Sequence, residues 1–242
     1  MYIDRFMLAS ADDEREYFFT GGATQDRISP QESTLPFGIF PRLCLDKIEF
    51  SDITVFCGGS NTAKTLLLRL IAAKLGVEKA MSYKTKCFDD YCRLSTFKYS
   101  DFSNKNFESK IITRSHNEEY TAKRYEALDK EGVWSTVQLY EDVIRQSALY
   151  FLEEPDNGMS LSEQTELSHI LRDAVKYYGA QFVITTNSPV LLGIKNALIY
   201  DFDAIPILPR TWHDSPYSRE FHRFCNELTE SHTRHRSEKN KS

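Results

Sequence analysis

The chain lacks paired cysteines, long apolar runs and a strong excess of charge of either sign. Its five cysteines are scattered over 242 residues without a C-x-x-C pair, so we expect free thiols and no zinc site. No apolar run approaches the roughly 20 residues of a membrane-spanning helix, and the first residues lack the apolar core of a signal peptide. These absences predict no membrane insertion and a cytoplasmic location.

The net charge of −5 argues against a uniformly basic surface that binds nucleic acid. Residues 231–242 are basic and polar, and we expect them to form a disordered tail. Such a tail could contact nucleic-acid phosphates, or it could simply be solvated. The rest of the chain, 1–230, suits a single domain with an insertion at about 79–147.

Four short apolar segments predict buried strands at residues 53–57, 148–152, 181–185 and 197–201. Residues 162–178 have the spacing of an amphipathic helix that Ser162 caps, and residues 117–129 predict another helix. Residues 2–8 suggest an edge strand, followed by a long polar loop over 9–34. Buried strands that alternate with helices predict an α/β fold, in which helices sandwich a mostly parallel sheet.

A glycine-led loop joins the first apolar strand to an apolar helix. It consists of Gly58, Gly59, Ser60, Asn61, Thr62, Ala63, Lys64 and Thr65. Such a loop collects backbone N–H groups at the positive end of a helix dipole, where phosphate binds. We predict that Lys64 reaches the terminal phosphates of a nucleotide and that Thr65 holds Mg²⁺. The alternative is an ordinary strand–turn–helix with a surface lysine.

Polar residues also follow the second and third apolar strands. Glu153 and Glu154 end the second strand, where the first carboxylate could bind the Mg²⁺ water shell and the second could activate water. The alternative is a solvated acidic turn. Asn187 follows the third strand, where its amide could contact the γ-phosphate, or it could belong to a common Asn-Ser-Pro turn.

These segments together resemble a known family. The strand–P-loop–helix, then Leu-Glu-Glu-Pro-Asp-Asn-Gly-Met-Ser, then Phe-Val-Ile-Thr-Thr-Asn-Ser-Pro resemble predicted AAA-type ATPases with an ABC-like head, the small relatives of RecF, Rad50 and SMC heads. The resemblance covers residues 35–75 and 148–203 well and is loose between them. It implies a P-loop NTPase fold of the ABC-ATPase type with an antiparallel N-terminal edge.

The chain departs from this family at four catalytic motifs. Ala63 replaces a glycine, Glu153 replaces an aspartate, and Asn187 replaces a histidine. The family's signature segment, which acts on the nucleotide of a second copy, corresponds to Ser135 and Gln138, with a valine where glycine is expected. An ordinary loop is the alternative at that segment.

The resemblance implies ATP and Mg²⁺ as ligands and a homodimer that forms on ATP binding. It also implies Mg-dependent hydrolysis. Binding depends on many backbone contacts, whereas hydrolysis depends on a few oriented groups, so the four departures predict that turnover is slow or absent. Two alternatives remain open. One is a pseudo-ATPase or scaffold module that binds nucleotide without turnover; the other is a nucleic-acid-associated repair or defence factor with an unidentified protein partner.

Overall fold

A computed structural model describes residues 2–20, 34–59, 63–77, 85–100, 109–112, 137–144 and 146–239. The strands are β1 (Ile3–Met7), β2 (Lys47–Glu49), β3 (Ile53–Cys57), β4 (Thr96–Tyr99), β5 (Ser109–Ile112), β6 (Leu149–Glu153), β7 (Gln181–Thr185), β8 (Leu198–Asp201) and β9 (Pro209–Arg210). The helices are α1 (Ala11–Phe19), α2 (Lys64–Lys74), α3 (Lys86–Leu94), α4 (Val137–Val143), α5 (Leu161–Asp173), α6 (Pro189–Leu192) and α7 (Pro216–Lys239).

The larger sheet has the strand order β5-β6-β7-β3-β8-β9. Its neighbouring strands from β5 to β8 are parallel, and β9 alone pairs antiparallel, with β8. Every residue of β3, β6 and β7 is buried, as expected for strands covered on both faces. The prediction of a mostly parallel sheet is therefore confirmed, and the carboxyl ends of β3, β6, β7 and β8 lie at one edge.

Helices cover both faces of this sheet, because its strands present apolar side chains in both directions. Phe56 and Phe151 face a core that includes Leu67 and Leu70 of α2. The opposite face carries a second core to which α4, α5 and α6 contribute, for example through Leu171 of α5. The sheet is thus the middle layer of a sandwich, with α2 on one side.

A smaller antiparallel sheet has the order β2-β1-β4. The predicted antiparallel strand at 2–8 is confirmed as β1, but it lies at the centre of the smaller sheet and not at an edge. The buried Gln181 side chain joins the two sheets: its Oε1 accepts hydrogen bonds from the N–H groups of Tyr2 (2.7 Å) and Ile3 (3.0 Å), and its Nε2 donates to the Ile3 carbonyl (2.9 Å). Strands β4 and β5 come from the predicted insertion. Strand β4 belongs to the smaller sheet and β5 to the larger one.

Two helices depart from prediction, and at both a capping box sets the first residue of the helix. The predicted loop at 9–34 contains α1, which Ser10 and Asp13 cap reciprocally. Helix α5 begins after Ser160, not at Ser162, because the Ser160 hydroxyl accepts from the Glu163 N–H and the Glu163 carboxylate accepts from the Ser160 N–H. The helix continues beyond α5 as a wider π-type turn at Ala174–Tyr178.

Helix α7 extends to Lys239, into the segment 231–242 for which disorder was expected. The predicted helix at 117–129 lies outside the described residues. In the part of the chain that the structure describes, no helix combines the length and apolar character that crossing a membrane would require.

Candidate functional site

The predicted phosphate-binding segment leads from the carboxyl end of β3 into the first turn of α2. Lys64 is the first residue of that helix, and Gly58 directly follows the strand. Ser60, Asn61 and Thr62 lie outside the described residues, so their roles stay predictions. Open parallel sheets bind ligands at the carboxyl ends of their strands, and this loop lies at that edge.

Lys64 is buried, with 7% of its surface exposed, although it carries an ammonium group. Its Nζ donates hydrogen bonds to the carbonyl oxygens of Gly58 (2.5 Å) and Gly59 (2.6 Å). Burial lowers the pKa of Lys64, and the nearby carboxylates of Asp203 and Glu154 act in the opposite direction. The charge of the second predicted acid therefore acts on the predicted lysine.

The first two amides of the loop are bound by side chains from the neighbouring strands. The Gly58 N–H donates to Oδ1 of Asn187 at 2.9 Å. The Gly59 N–H donates to both carboxylate oxygens of Asp203, at 3.0 and 2.8 Å. Asn187, which was predicted to contact phosphate, thus contacts the loop. The Asp203 carboxylate likewise binds a backbone N–H group of the loop.

The two motif residues that flank Lys64 adopt ordinary conformations. Ala63 has φ −72° and ψ 8°, which alanine adopts without strain, and its carbonyl accepts from the Leu67 N–H at 2.8 Å. Its methyl group packs against the core beside α2. Thr65 is half-buried in the first turn of the helix.

Glu153 is buried at the end of β6, and Arg69 of α2 binds its carboxylate. The Arg69 Nη2 atom lies 3.1 Å from Oε1 and 3.0 Å from Oε2 of Glu153. The exposed fractions of the two side chains are 22% for arginine and 9% for glutamate. The carboxylate that was predicted to bind the Mg²⁺ shell is therefore part of an ion pair within the protein.

Glu154 begins the turn that leaves the sheet. Its φ of 47° is unusual for a residue other than glycine, and its N–H donates to the carbonyl (2.9 Å) and hydroxyl (3.1 Å) oxygens of Thr185. Asp156 supports the same turn, because its carboxylate accepts from the Thr186 hydroxyl at 2.5 Å. Burial raises the pKa of Asp156. These bonds fix the backbone that carries the Glu154 side chain.

The proposed signature segment is described only in part. Ser135 lies outside the described residues. Gln138 lies on α4, which contacts the turn after β6 through the Tyr140 hydroxyl and the Pro155 carbonyl, 3.4 Å apart. The Gln138 Oε1 atom is buried without a hydrogen-bond partner in the described residues, and the role of this segment stays a prediction.

Three residues that contact the predicted site were not among those predicted from the sequence. Asp203 follows β8, and the rule that drew attention to Glu153 and Glu154 could have found it, since it is also an acid after an apolar strand. Arg69 gave no local signal, because its partner lies 84 residues away in sequence. Tyr217 of α7 donates its hydroxyl to the Asn187 carbonyl at 2.7 Å, a contact that no spacing predicts.

The described residues fit Mg²⁺ poorly at the predicted position. Proteins usually bind Mg²⁺ through one or two carboxylates together with substrate phosphates. Both oxygens of Glu153 are bound to Arg69. The other predicted ligand, Thr65, offers only an uncharged hydroxyl group. Within the described ranges there is also no cluster of three or more His, Cys, Asp or Glu side chains that could hold a metal ion.

Comparisons with known proteins give similarities of fold. No family model and no curated protein matches the sequence. The SMC head domain from Thermotoga maritima is 13% identical with a TM-score of 0.42, over 68% of this chain and 92% of that one. An SMC head bound to the C-winged helix domain of ScpA is 9% identical with a TM-score of 0.42, over 68% and 93%. Stu0660 of Streptococcus thermophilus is 11% identical with a TM-score of 0.42, over 69% and 74%.

Proposed function

We propose that this chain binds a nucleoside triphosphate, ATP, on the loop between β3 and α2, and that it hydrolyses the nucleotide slowly. The observation that carries the proposal is the buried ammonium of Lys64 at the carboxyl edge of the parallel sheet, electrostatically coupled to Glu154. A buried cation beside loop amides and a helix N-terminus is suited to a polyphosphate. On binding, the Lys64 ammonium would exchange the carbonyl oxygens of Gly58 and Gly59 for phosphate oxygens as its hydrogen-bond acceptors.

Glu154 is the residue we assign to activation of water. Two observations support this assignment: its backbone N–H is bound by Thr185 at the end of β7, and its charge acts on Lys64. In the proposed step, water attacks the γ-phosphorus, the bond to the bridging oxygen of ADP breaks, and Glu154 accepts the water proton. General bases of this kind typically contribute about 10²- to 10⁴-fold to a rate.

Binding is tested by calorimetry and thermal unfolding with ATP. We expect Lys64→Ala to weaken binding by about 10- to 100-fold, as loss of charge-assisted hydrogen bonds does. Lys74→Ala is the matched control, because Lys74 ends the same helix and its Nζ donates to the Cys92 carbonyl at 2.6 Å. Wild-type unfolding should require about 2.7 kcal/mol more at 100 times the Kd. Equal affinity in Lys64→Ala and wild type would disprove the site.

Nucleotide binding without turnover is the second candidate, and the Arg69–Glu153 ion pair favours it. Both carboxylate oxygens of Glu153 are bound to arginine, so a metal in the role that hydrolysis requires would compete with that guanidinium. Phosphate release separates the two candidates. Turnover in wild type that stops in Glu154→Gln supports hydrolysis, whereas saturable binding with no phosphate release supports the second candidate.

Association of two copies on ATP binding remains part of the proposal, and light scattering of Glu154→Gln with and without ATP tests it.

Nucleic-acid binding is a weaker alternative, because Arg223 of α7 is paired with Glu220 (2.5 Å) and Glu227 (3.9 Å) of the same helix. Salt-sensitive DNA binding that is lost on removal of residues 231–242 would favour it.

A further inference from the structure

The ion pair between α2 and β6 lies where the motif assigns a metal. Arg69 Nη2 contacts both oxygens of Glu153, at 3.1 and 3.0 Å, and the glutamate side chain is 9% exposed. Glu153 and Thr65 are the two residues that the loop and strand motifs assign to Mg²⁺. The arginine thus binds one of these two directly.

Arg69 is also placed beside the other residue. Thr65 and Arg69 are four residues apart on α2, so they lie on one face of the helix, one turn apart. Long helical side chains extend over the turn that precedes their own Cα, which for Arg69 is the turn of Thr65. The guanidinium therefore places a positive charge between α2 and the end of β6.

A guanidinium and a divalent cation would compete for this carboxylate. To bind Glu153, Mg²⁺ would have to lose part of its hydration shell, which it does reluctantly, and either displace the arginine or lie beside a second positive charge. An arginine guanidinium is a permanent cation, whereas a bound metal ion can dissociate.

We infer that Arg69 supplies the fixed positive charge that a metal would otherwise provide, and that the loop binds nucleoside triphosphate without Mg²⁺. This inference rests on the proposed nucleotide site. It adds that binding does not require the metal, and that Arg69, held in place by Glu153, provides the positive charge near the phosphates.

Calorimetry of the full chain with ATP, in excess EDTA and in excess Mg²⁺, tests the inference. We expect dissociation constants that agree within about threefold, because the same fixed cation is present in both solutions. A dissociation constant about tenfold or more weaker in EDTA overturns the inference and leaves the nucleotide site standing. Absence of ATP and inorganic triphosphate binding in both solutions overturns the proposed function, and the inference with it.

The Arg69→Gln variant tests whether Arg69 supplies this positive charge. In Arg69→Gln, Glu153 loses its cation, so we expect ATP to bind about tenfold more weakly in EDTA and Mg²⁺ to restore the affinity. Arg93→Gln is the matched control, because Arg93 is 80% exposed and pairs with Asp90 at 2.9 Å on α3. Arg69→Lys, which keeps the charge, provides a second measurement if the glutamine variant does not fold. Unchanged, metal-independent binding in a folded Arg69→Gln variant contradicts the role of Arg69.

Discussion

The side-chain oxygen of Asn187 accepts a hydrogen bond from the backbone N–H of Gly58, at 2.9 Å. This bond ties the segment after β7 to the first glycine of the loop after β3. Tyr217 holds the same asparagine from the other side, because its hydroxyl donates to the Asn187 carbonyl at 2.7 Å. The loop conformation therefore depends on a neighbouring strand and on α7 as well as on its own sequence.

Replacing Asn187 by alanine should destabilise the protein by about 1 kcal/mol, because the Gly58 N–H loses its acceptor. Urea unfolding measures the change. Asn157→Ala is the control, since Asn157 is exposed in the turn after β6. Equal destabilisation by the two variants would show that the contact to Gly58 contributes nothing specific.

Replacing Gly58 by alanine should cost more, about 1–3 kcal/mol, because its backbone is one that only glycine adopts easily. Gly58 has φ +132°, and an added Cβ would lie 3.1 Å from the Phe202 Cβ and 3.2 Å from the Asp203 nitrogen. Gly59 is the matched control: its φ is not positive, and an added Cβ would lie 3.4 Å from an Asp203 oxygen, an ordinary contact. Thermal unfolding of both variants checks the difference, and equal melting temperatures would contradict it.

The parts of the site that the sequence predicted are those encoded locally. The apolar run of β3 and the turn residues after it are contiguous in sequence, so the position of Lys64 follows directly from their pattern. The capping box of Ser160 and Glu163 is also encoded locally, two residues before the predicted cap at Ser162. The Arg69–Glu153 contact could not be predicted, because it depends on how a helix packs against a strand 84 residues further along the chain.

Removing the charge of Asp203 should strengthen nucleotide binding. Its carboxylate accepts the Gly59 N–H and acts on Lys64, so it occupies a loop amide that phosphate would use and repels the phosphate charge. We expect Asp203→Asn to bind ATP about tenfold more tightly at low salt, with a smaller gain at high salt, where screening is stronger.

Asp173→Asn is the control for this measurement, because it removes one negative charge from an exposed position on α5. It should leave the affinity for ATP unchanged. Weaker binding in Asp203→Asn would mean instead that the aspartate is needed to hold the loop open for its ligand.

Stability should depend on pH through Glu14, a buried residue of α1. Its Oε2 accepts from the Gly38 N–H at 2.8 Å, whereas its Oε1 is buried without a hydrogen-bond partner among the described residues. Burial raises the pKa of Glu14 above its ordinary value of 4.5. The folded chain therefore retains a proton that the unfolded chain has released, and this contribution to stability is lost as the pH rises through the raised pKa.

Glu14→Gln stays neutral at every pH and keeps an acceptor for the Gly38 N–H. We expect its free energy of unfolding to be close to that of wild type below pH 4.5 and to exceed it increasingly as the pH rises above that value, because only wild type has to bury a charge. Urea unfolding at a series of pH values measures the difference. Glu16→Gln, exposed on the same helix, is the control. Parallel pH profiles for wild type and Glu14→Gln would show that the carboxyl group is already accommodated as an anion.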